Sequence, residues 1–339
     1  MGLTASDLTP GAAEAVSLCG VIVSFGEAAE DVLSRLAGLR VSEATAQRTT
    51  EAAGQELGRR LTAGETFGPA RDWAWHKDAE GKTCAYVSLD ATSVPQQGPE
   101  AAKADGRMAT VAMIDNPIPE DRSRWAHPAG KRPPWQARYQ AGLGGQATLG
   151  EPLRKQGAQV GMDRAERWIA LSDGGAGLED WLTTNFGRVE AVVLDFYHAS
   201  EHLGDLAKAC HGGDAGAAQA EHSRWSHRLK HEGGRAVLDE LHALDVGARP
   251  AARKVWRETT TYFENQVHRM DYPSYVAKGW QIGSGPVESA CKTVVNQRLK
   301  EAGMRWREQG SDGVCHLRAL FLSEKGQWDA FWARPREAA

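Results

Sequence analysis

A mixed α/β fold is predicted for this chain on three observations. Apolar runs of strand length occur at Thr83–Leu89, Trp168–Ser172 and Val189–Leu194, and each stops at an aspartate. Segments of helical periodicity, Leu149–Val160 and Leu178–Phe186, lie between them. Long helical stretches flank the whole, giving the order three strands, helix, strand, helix, strand, helices.

Residues 11–64 read as helical. Ala28, Val32, Leu33 and Leu36 recur at helical spacing, and a second stretch runs from Ala44 to Leu61. Between them Ser42 is a good N-cap, with Glu43 in the first turn, where the helix dipole favours an acid. Helix, glycine-containing turn and capped helix outline a helix-turn-helix, with Thr45, Gln47, Arg48 and Thr50 on the helix that would read DNA. A plain helical hairpin fits the same pattern. From Gly81 the period changes to that of strands: Thr83–Leu89 ending on Asp90, Met108–Ile114, and a weaker one at Ala137–Ala141. Asp115–Trp135, rich in proline and charge, reads as a long loop. From His198 to Tyr275 the pattern is helical and polar, with breaks expected at Gly212-Gly213 and Gly233-Gly234. A last helix starts at Gly285-Pro286 and carries Val287, Ala290, Cys291, Val294, Val295 and Leu299 on one apolar face.

The 339 residues suit two or three domains, or one large domain with an insertion. Ordinary globular composition, no apolar run of membrane-spanning length and no leader-like start make a cytoplasmic protein without a membrane partner the expectation. The five scattered cysteines form no C-x-x-C pair, which argues against disulfides and structural zinc; Cys84 and Cys291 fit core positions. A net charge of −4 excludes coating of nucleic acid through bulk charge. A local basic surface remains open: Lys292, Arg298, Lys300, Arg305 and Arg307 face only Glu301 between positions 292 and 307.

Aspartates at strand ends are natural metal ligands, because ligands gather beyond the carboxyl ends of strands in open α/β sheets. Mg²⁺ or Mn²⁺ prefers such oxygens, and two ions can activate a water and stabilise a leaving oxygen in phosphodiester cleavage. Asp90, Asp173 and Asp195 are therefore candidates, although aspartate also simply ends strands. Glu288 sits where an acid caps a helix start, yet Glu288, Lys292 and Asn296 also follow at i, i+4 spacing and could form a phosphate-handling face.

The run Gly283-Ser284-Gly285-Pro286-Val287-Glu288-Ser289-Ala290-Cys291-Lys292 resembles the C-terminal signature of the Kra-type insertion-sequence transposases. Gln297-Arg298-Leu299-Lys300, Gly303-Met304-Arg305-Trp306, Leu317-Arg318-Ala319 and Trp328-Asp329-Ala330-Phe331-Trp332 continue the likeness. Upstream, Ser88-Leu89-Asp90-Ala91-Thr92 and Ser172-Asp173-Gly174-Gly175 resemble that family's first and second aspartate segments, and Leu194-Asp195-Phe196-Tyr197-His198 a following motif. The glutamate motif is specific; each aspartate motif alone is weak. Ala91 departs from the family's usual glycine.

The resemblance, from about Leu8 to Trp332, implies a DDE transposase with an RNase H-like mixed-sheet core. It implies a helical N-terminal region over 1–75, a first core part over 76–200, a helical insertion over 201–282, and the catalytic helix and tail over 283–339. Asp90, Asp173 and Glu288 would be the catalytic triad and would hold a two-metal Mg²⁺ or Mn²⁺ site. Asp195 and His198 resemble the Cys-x-x-His position of the distantly related Mutator-type transposases and would support the site, with Asp195 the alternative second ligand. Lys292, Arg298, Lys300, Arg305 and Arg48 would bind DNA. The expected partners are double-stranded DNA with terminal inverted repeats and further copies of the chain. Two other classes fit less well: an inactive transposase remnant that only binds DNA, and a metal-dependent phosphatase using Asp90, which lacks an acid at Thr92.

Overall fold

A computed structural model describes residues 8–118, 135–324 and 326–333. In chain order the helices are α1 (Pro10–Ile22), α2 (Phe25–Glu27), a π-helical turn over Ala28–Leu33, α3 (Ser34–Leu36) and α4 (Glu43–Thr62). Strands β1 (His76–Lys77), β2 (Thr83–Gln97), β3 (Lys103–Asn116) and β4 (Gln136–Gly142) follow, then α5 (Gly150–Gln159), β5 (Arg167–Ser172), α6 (Leu178–Asn185) and β6 (Val189–Leu194). Helices α7 (Phe196–His211), α8 (Ala215–Glu232), α9 (Gly234–Ala243), α10 (Pro250–Gln266) and α11 (Tyr272–Ala277) come next. The end comprises α12 (Gly285–Ala290), a second π-helical turn over Cys291–Asn296, α13 (Gln297–Leu299), α14 (Glu308–Leu322) and α15 (Gln327–Trp332). The sheet is mixed, in the order β4-β3-β2-β5-β6, with β1 antiparallel to the start of β2. Among the described residues no helix is long and apolar enough to cross a membrane.

The chain divides into two compact units. The first contains residues 1–74, 89–164 and 287–339. Its core is built from Val16, Leu33, Val111, Met113, Val294 and Trp306, all buried. The alternation of strand residues explains β3 and β4, whose antiparallel register sets Met113 opposite Tyr139 and Asp115 opposite Ala137. Helix α4 starts at Ser42, whose side chain accepts the Thr45 N–H as the cap pattern predicts. It meets α14 backbone to backbone, since a Cβ on Gly54 would overlap the Gly313 carbonyl.

One buried group in this unit bears on stability. Asp115 is fully buried on β3, and among the described residues neither of its carboxylate oxygens has a hydrogen-bond partner. Burial pushes its carboxyl up to about 8. The unfolded chain ionises near about 3.9, so between these values the folded state holds the extra proton. Stability should therefore fall as pH rises from about 4 to about 8, by up to roughly 1.4 kcal/mol per pH unit. Urea unfolding of wild type and Asp115→Asn across this range checks it: the decline should flatten in the variant, and equal slopes would contradict the assignment.

The second unit contains residues 75–88 and 165–286. Its β2–β5 and β5–β6 pairings are parallel: Ser88 pairs with Leu171 and Ser172 with Leu194. The helical layer packs through Leu203, Trp225, Leu238, Phe263 and Tyr272, all buried. Gly212 ends α7 in the left-handed region, and Gly233, also at positive φ, separates α8 from α9, as glycine's freedom there allows. Under the sheet, Asp78 is buried and accepts hydrogen bonds from Arg167 (2.6 Å) and Trp280 (3.3 Å).

Several expectations need correction. Strand β2 does not stop at Asp90 but runs seven residues on to Gln97, because a hairpin through Gly98–Ala102 sends the chain straight back along β3. The expected loop at Asp115–Trp135 begins later, since Asp115 and Asn116 still belong to β3; positions 119–134 lie outside the described residues. Thr50 cannot read DNA: it is fully buried, and its hydroxyl donates to the Ala46 carbonyl at 2.8 Å. Arg48 and Gln47 are exposed, as that reading requires.

Candidate functional site

In the first unit, Asp90 lies on β2 and Glu288 in the first turn of α12. Cys291, one turn after Glu288, ties them together. Its thiol is pushed well up, first by burial, then by the charge and hydrogen bond of Asp90, with Glu288 adding to the shift. Both carboxylates thus act on one sulfur. On the same patch Lys300 Nζ donates to Thr92 Oγ1 at 2.7 Å, and Thr92 Oγ1 donates to Asn296 Oδ1 at 3.1 Å. The π-helical turn Cys291–Asn296 replaces the regular i, i+4 ladder expected for Glu288, Lys292 and Asn296, so Asn296 reaches β2.

In the second unit, Asp173 and Asp195 directly follow the adjacent parallel strands β5 and β6. Their surroundings differ. Asp195 is fully buried and saturated. Its Oδ1 accepts the N–H groups of Tyr197 (2.6 Å) and His198 (3.1 Å) as the N-cap of α7, and its Oδ2 accepts the N–H of Ser284 (2.8 Å) and the Ser284 hydroxyl. Asp173 is half-buried, and one oxygen accepts the Gly175 N–H at 3.0 Å. Its other oxygen has no hydrogen-bond partner among the described residues.

The segment around Asp173 is held from α10 and the turn after it. Tyr262 donates its hydroxyl to the Asp173 carbonyl (3.2 Å) and Gln266 its amide to the Gly174 carbonyl (3.3 Å). Arg269, almost wholly buried, donates to Ser172 Oγ (2.6 Å) and to the Val192 carbonyl (3.3 Å). The Tyr262 ring also stacks on His202 at 4.0 Å, and His198 meets both rings edge-on. Burial, and then the neighbouring His198, lower the His202 pKa. Tyr197 stands 65% exposed beside this group, its ring against Gly283, where a Cβ would come within 2.7 Å. Of these supporting side chains, His198 was anticipated in the sequence; Tyr262, Gln266, Arg269 and His202 were missed. Ser284 lay inside the glutamate motif, but nothing tied it to Asp195.

The expected basic face separates into two kinds of residue. Lys292, Lys300 and Arg305 are exposed. Arg298 is fully buried and is no DNA contact. Its guanidinium lies between the rings of Phe25 (4.6 Å) and Trp306 (5.0 Å), and Nε donates to the Gly20 carbonyl at 2.8 Å. Burial lowers its pKa to about 10.

Among the described residues no group of three or more His, Cys, Asp or Glu side chains is already gathered as a metal cage. The donors in question are all carboxylates, the chemistry that Mg²⁺ and Mn²⁺ favour. No family model and no curated protein matches the chain.

Proposed function

We propose that this protein is a DDE-type transposase with an RNase H-like core. It would cleave and rejoin DNA strands at the ends of an insertion sequence. The observation that carries the reading is the convergence of Asp90 and Glu288 on Cys291, which brings two members of the signature motifs into one patch beside the Lys300 ammonium. Asp90, Glu288 and Asp173, with its uncommitted oxygen, would hold Mg²⁺ or Mn²⁺. When bound, the ions activate the attacking water or hydroxyl and stabilise the leaving oxygen. Asp195, whose oxygens already cap α7 and bind Ser284, acts as a positioning residue, as does His198 through its contacts with His202 and Tyr262.

The direct test is strand cleavage of a duplex carrying the repeats that flank the coding sequence, with Mg²⁺ or Mn²⁺ and with EDTA. Metal-dependent nicking at the repeat boundary is expected; no nicking under any divalent ion would overturn the reading. A remnant would bind this DNA without cutting it. A phosphatase would hydrolyse p-nitrophenyl phosphate and ignore the DNA.

Lys292, Lys300 and Arg305 are assigned to the phosphate backbone. Changing all three to alanine should weaken binding to unrelated duplexes alike and make the slope of log K against log salt shallower by about 2 to 3, at about 0.9 per lost phosphate contact. A slope equal to that of wild type would mean that these cations only solvate the surface. Arg48→Ala should instead change the preference for terminal over random DNA, because exposed helix residues read base edges.

A further inference from the structure

The second unit also contains a hollow. It is formed by the loop between α9 and α10 and by one face of α10, and its volume is about 420 Å³. That is within the range of small-molecule sites and far more than a bare phosphate needs. Leu244 and the half-buried Trp256 supply apolar lining. The indole is fixed by its Nε1–H, which donates to the Leu241 carbonyl at 2.7 Å. Two guanidinium groups, Arg253 and Arg257, line the same space. Arg253 is steered by its Nε–H, which donates to the Gly247 carbonyl at 2.8 Å and leaves its terminal nitrogens for a ligand. Neither arginine meets a carboxylate among the described residues. The single acid in the lining is Asp245, whose Oδ1 accepts the Gly247 N–H at 2.8 Å and shapes the loop.

We propose that this hollow binds a nucleotide, with the Trp256 indole against the base and the Arg253 and Arg257 guanidiniums on the phosphate. Planar guanidinium forks match phosphate oxygens, and an aromatic face stacks any base. A purely anionic ligand would leave the indole unused, and a purely apolar one would strand two cations. The nucleotide is either a unit of a DNA strand, which rests on the transposase reading, or a free mononucleotide, which does not.

The experiment uses the full-length chain in EDTA, so that cleavage plays no part. Binding of a fluorescent 12-mer single strand is followed against salt for wild type, Arg253→Ala/Arg257→Ala, Trp256→Ala, Trp256→Phe and Arg235→Ala, the last an exposed cation of the same unit outside the hollow. The double variant should bind at least about tenfold more weakly, with a slope shallower by about 0.7, the value for one phosphate contact on a single strand. Trp256→Ala should lose about fivefold or more with an unchanged slope, and Trp256→Phe should retain most of the binding. In a second arm dAMP is titrated by tryptophan fluorescence, with inorganic phosphate as the comparison. Saturation by dAMP that is lost in Arg253→Ala/Arg257→Ala, which keeps the Trp256 reporter, with strand binding unaffected by every variant, assigns the hollow to a free nucleotide. The proposal is overturned if Arg235→Ala and the arginine double variant weaken strand binding equally, or if neither the arginine double variant nor Trp256→Ala alters either ligand. It is also overturned if phosphate binds as well as dAMP. Failure of terminal-repeat cleavage alone would count against the transposase reading and leave these binding results standing.

Discussion

Glu288→Gln should abolish metal-dependent strand cleavage, lowering the rate at least about a thousandfold, or ~4 kcal/mol of barrier. The substitution keeps size and most hydrogen bonding but removes one negative charge from a site whose work is to hold divalent cations. Asp90→Asn and Asp173→Asn should behave alike. DNA binding should persist, or tighten slightly as repulsion from the phosphates falls. Asp195→Asn should differ in kind: its carboxylate accepts four hydrogen bonds, two as the cap of α7 and two from Ser284, so the loss should appear first in the thermal midpoint. The check pairs a terminal-repeat nicking assay in Mn²⁺ with an EDTA binding assay on the same DNA. Wild-type cutting by Glu288→Gln would remove the transposase assignment. Cutting by Asp173→Asn but not by a folded Asp195→Asn would exchange the two aspartates.

Arg298→Ala should be among the most destabilising substitutions in the chain, costing about 3 kcal/mol or more. It empties the space between Phe25 and Trp306, forfeits two cation–π contacts and leaves the Gly20 carbonyl without its donor. Arg298→Met should cost less, because it refills much of the volume and removes a buried charge that makes no ion pair among the described residues, Glu301 and Glu27 acting on it only at longer range. Urea unfolding midpoints measure both. A wild-type midpoint combined with weaker DNA binding would restore Arg298 to the DNA-contacting face.

Arg298 also marks where sequence reading stops. Apolar patterns were legible: β5 and β6 fall within a residue of the predicted runs, the Ser42 cap holds, the glycine pairs break the helices, and every residue of the predicted stripe from Val287 to Leu299 is buried. Charged and polar side chains were not, because a guanidinium or hydroxyl takes its burial from partners distant in sequence. Gly20 lies 278 positions from Arg298. Thr50 offered no external sign that its hydroxyl would turn back onto its own helix. The extent of β2 was hidden for a related reason: its second half gains its pairing only once the hairpin to β3 closes, which no window centred on Asp90 contains. For the candidate site, motif likeness singled out Asp90, Asp173 and Glu288, but it could not separate an aspartate with an open oxygen from one already saturated. The partners that separate them, Gly175 for Asp173 and Ser284 for Asp195, are fixed only in the folded chain.

The wide turn at Cys291–Asn296 has a genetic meaning as well as a geometric one. A π-helical turn is what remains when a helix accepts one extra residue without unfolding. Such an insertion advances everything beyond it by about 100° around the axis relative to everything before it. The residues ahead of the turn include Glu288; those after it include Arg298, locked between its two rings, and Lys300, which reaches across to Thr92. Excising a single codon within the turn would restore an ordinary helix yet leave these two groups with incompatible headings, so the segment should tolerate substitution far better than any change in length.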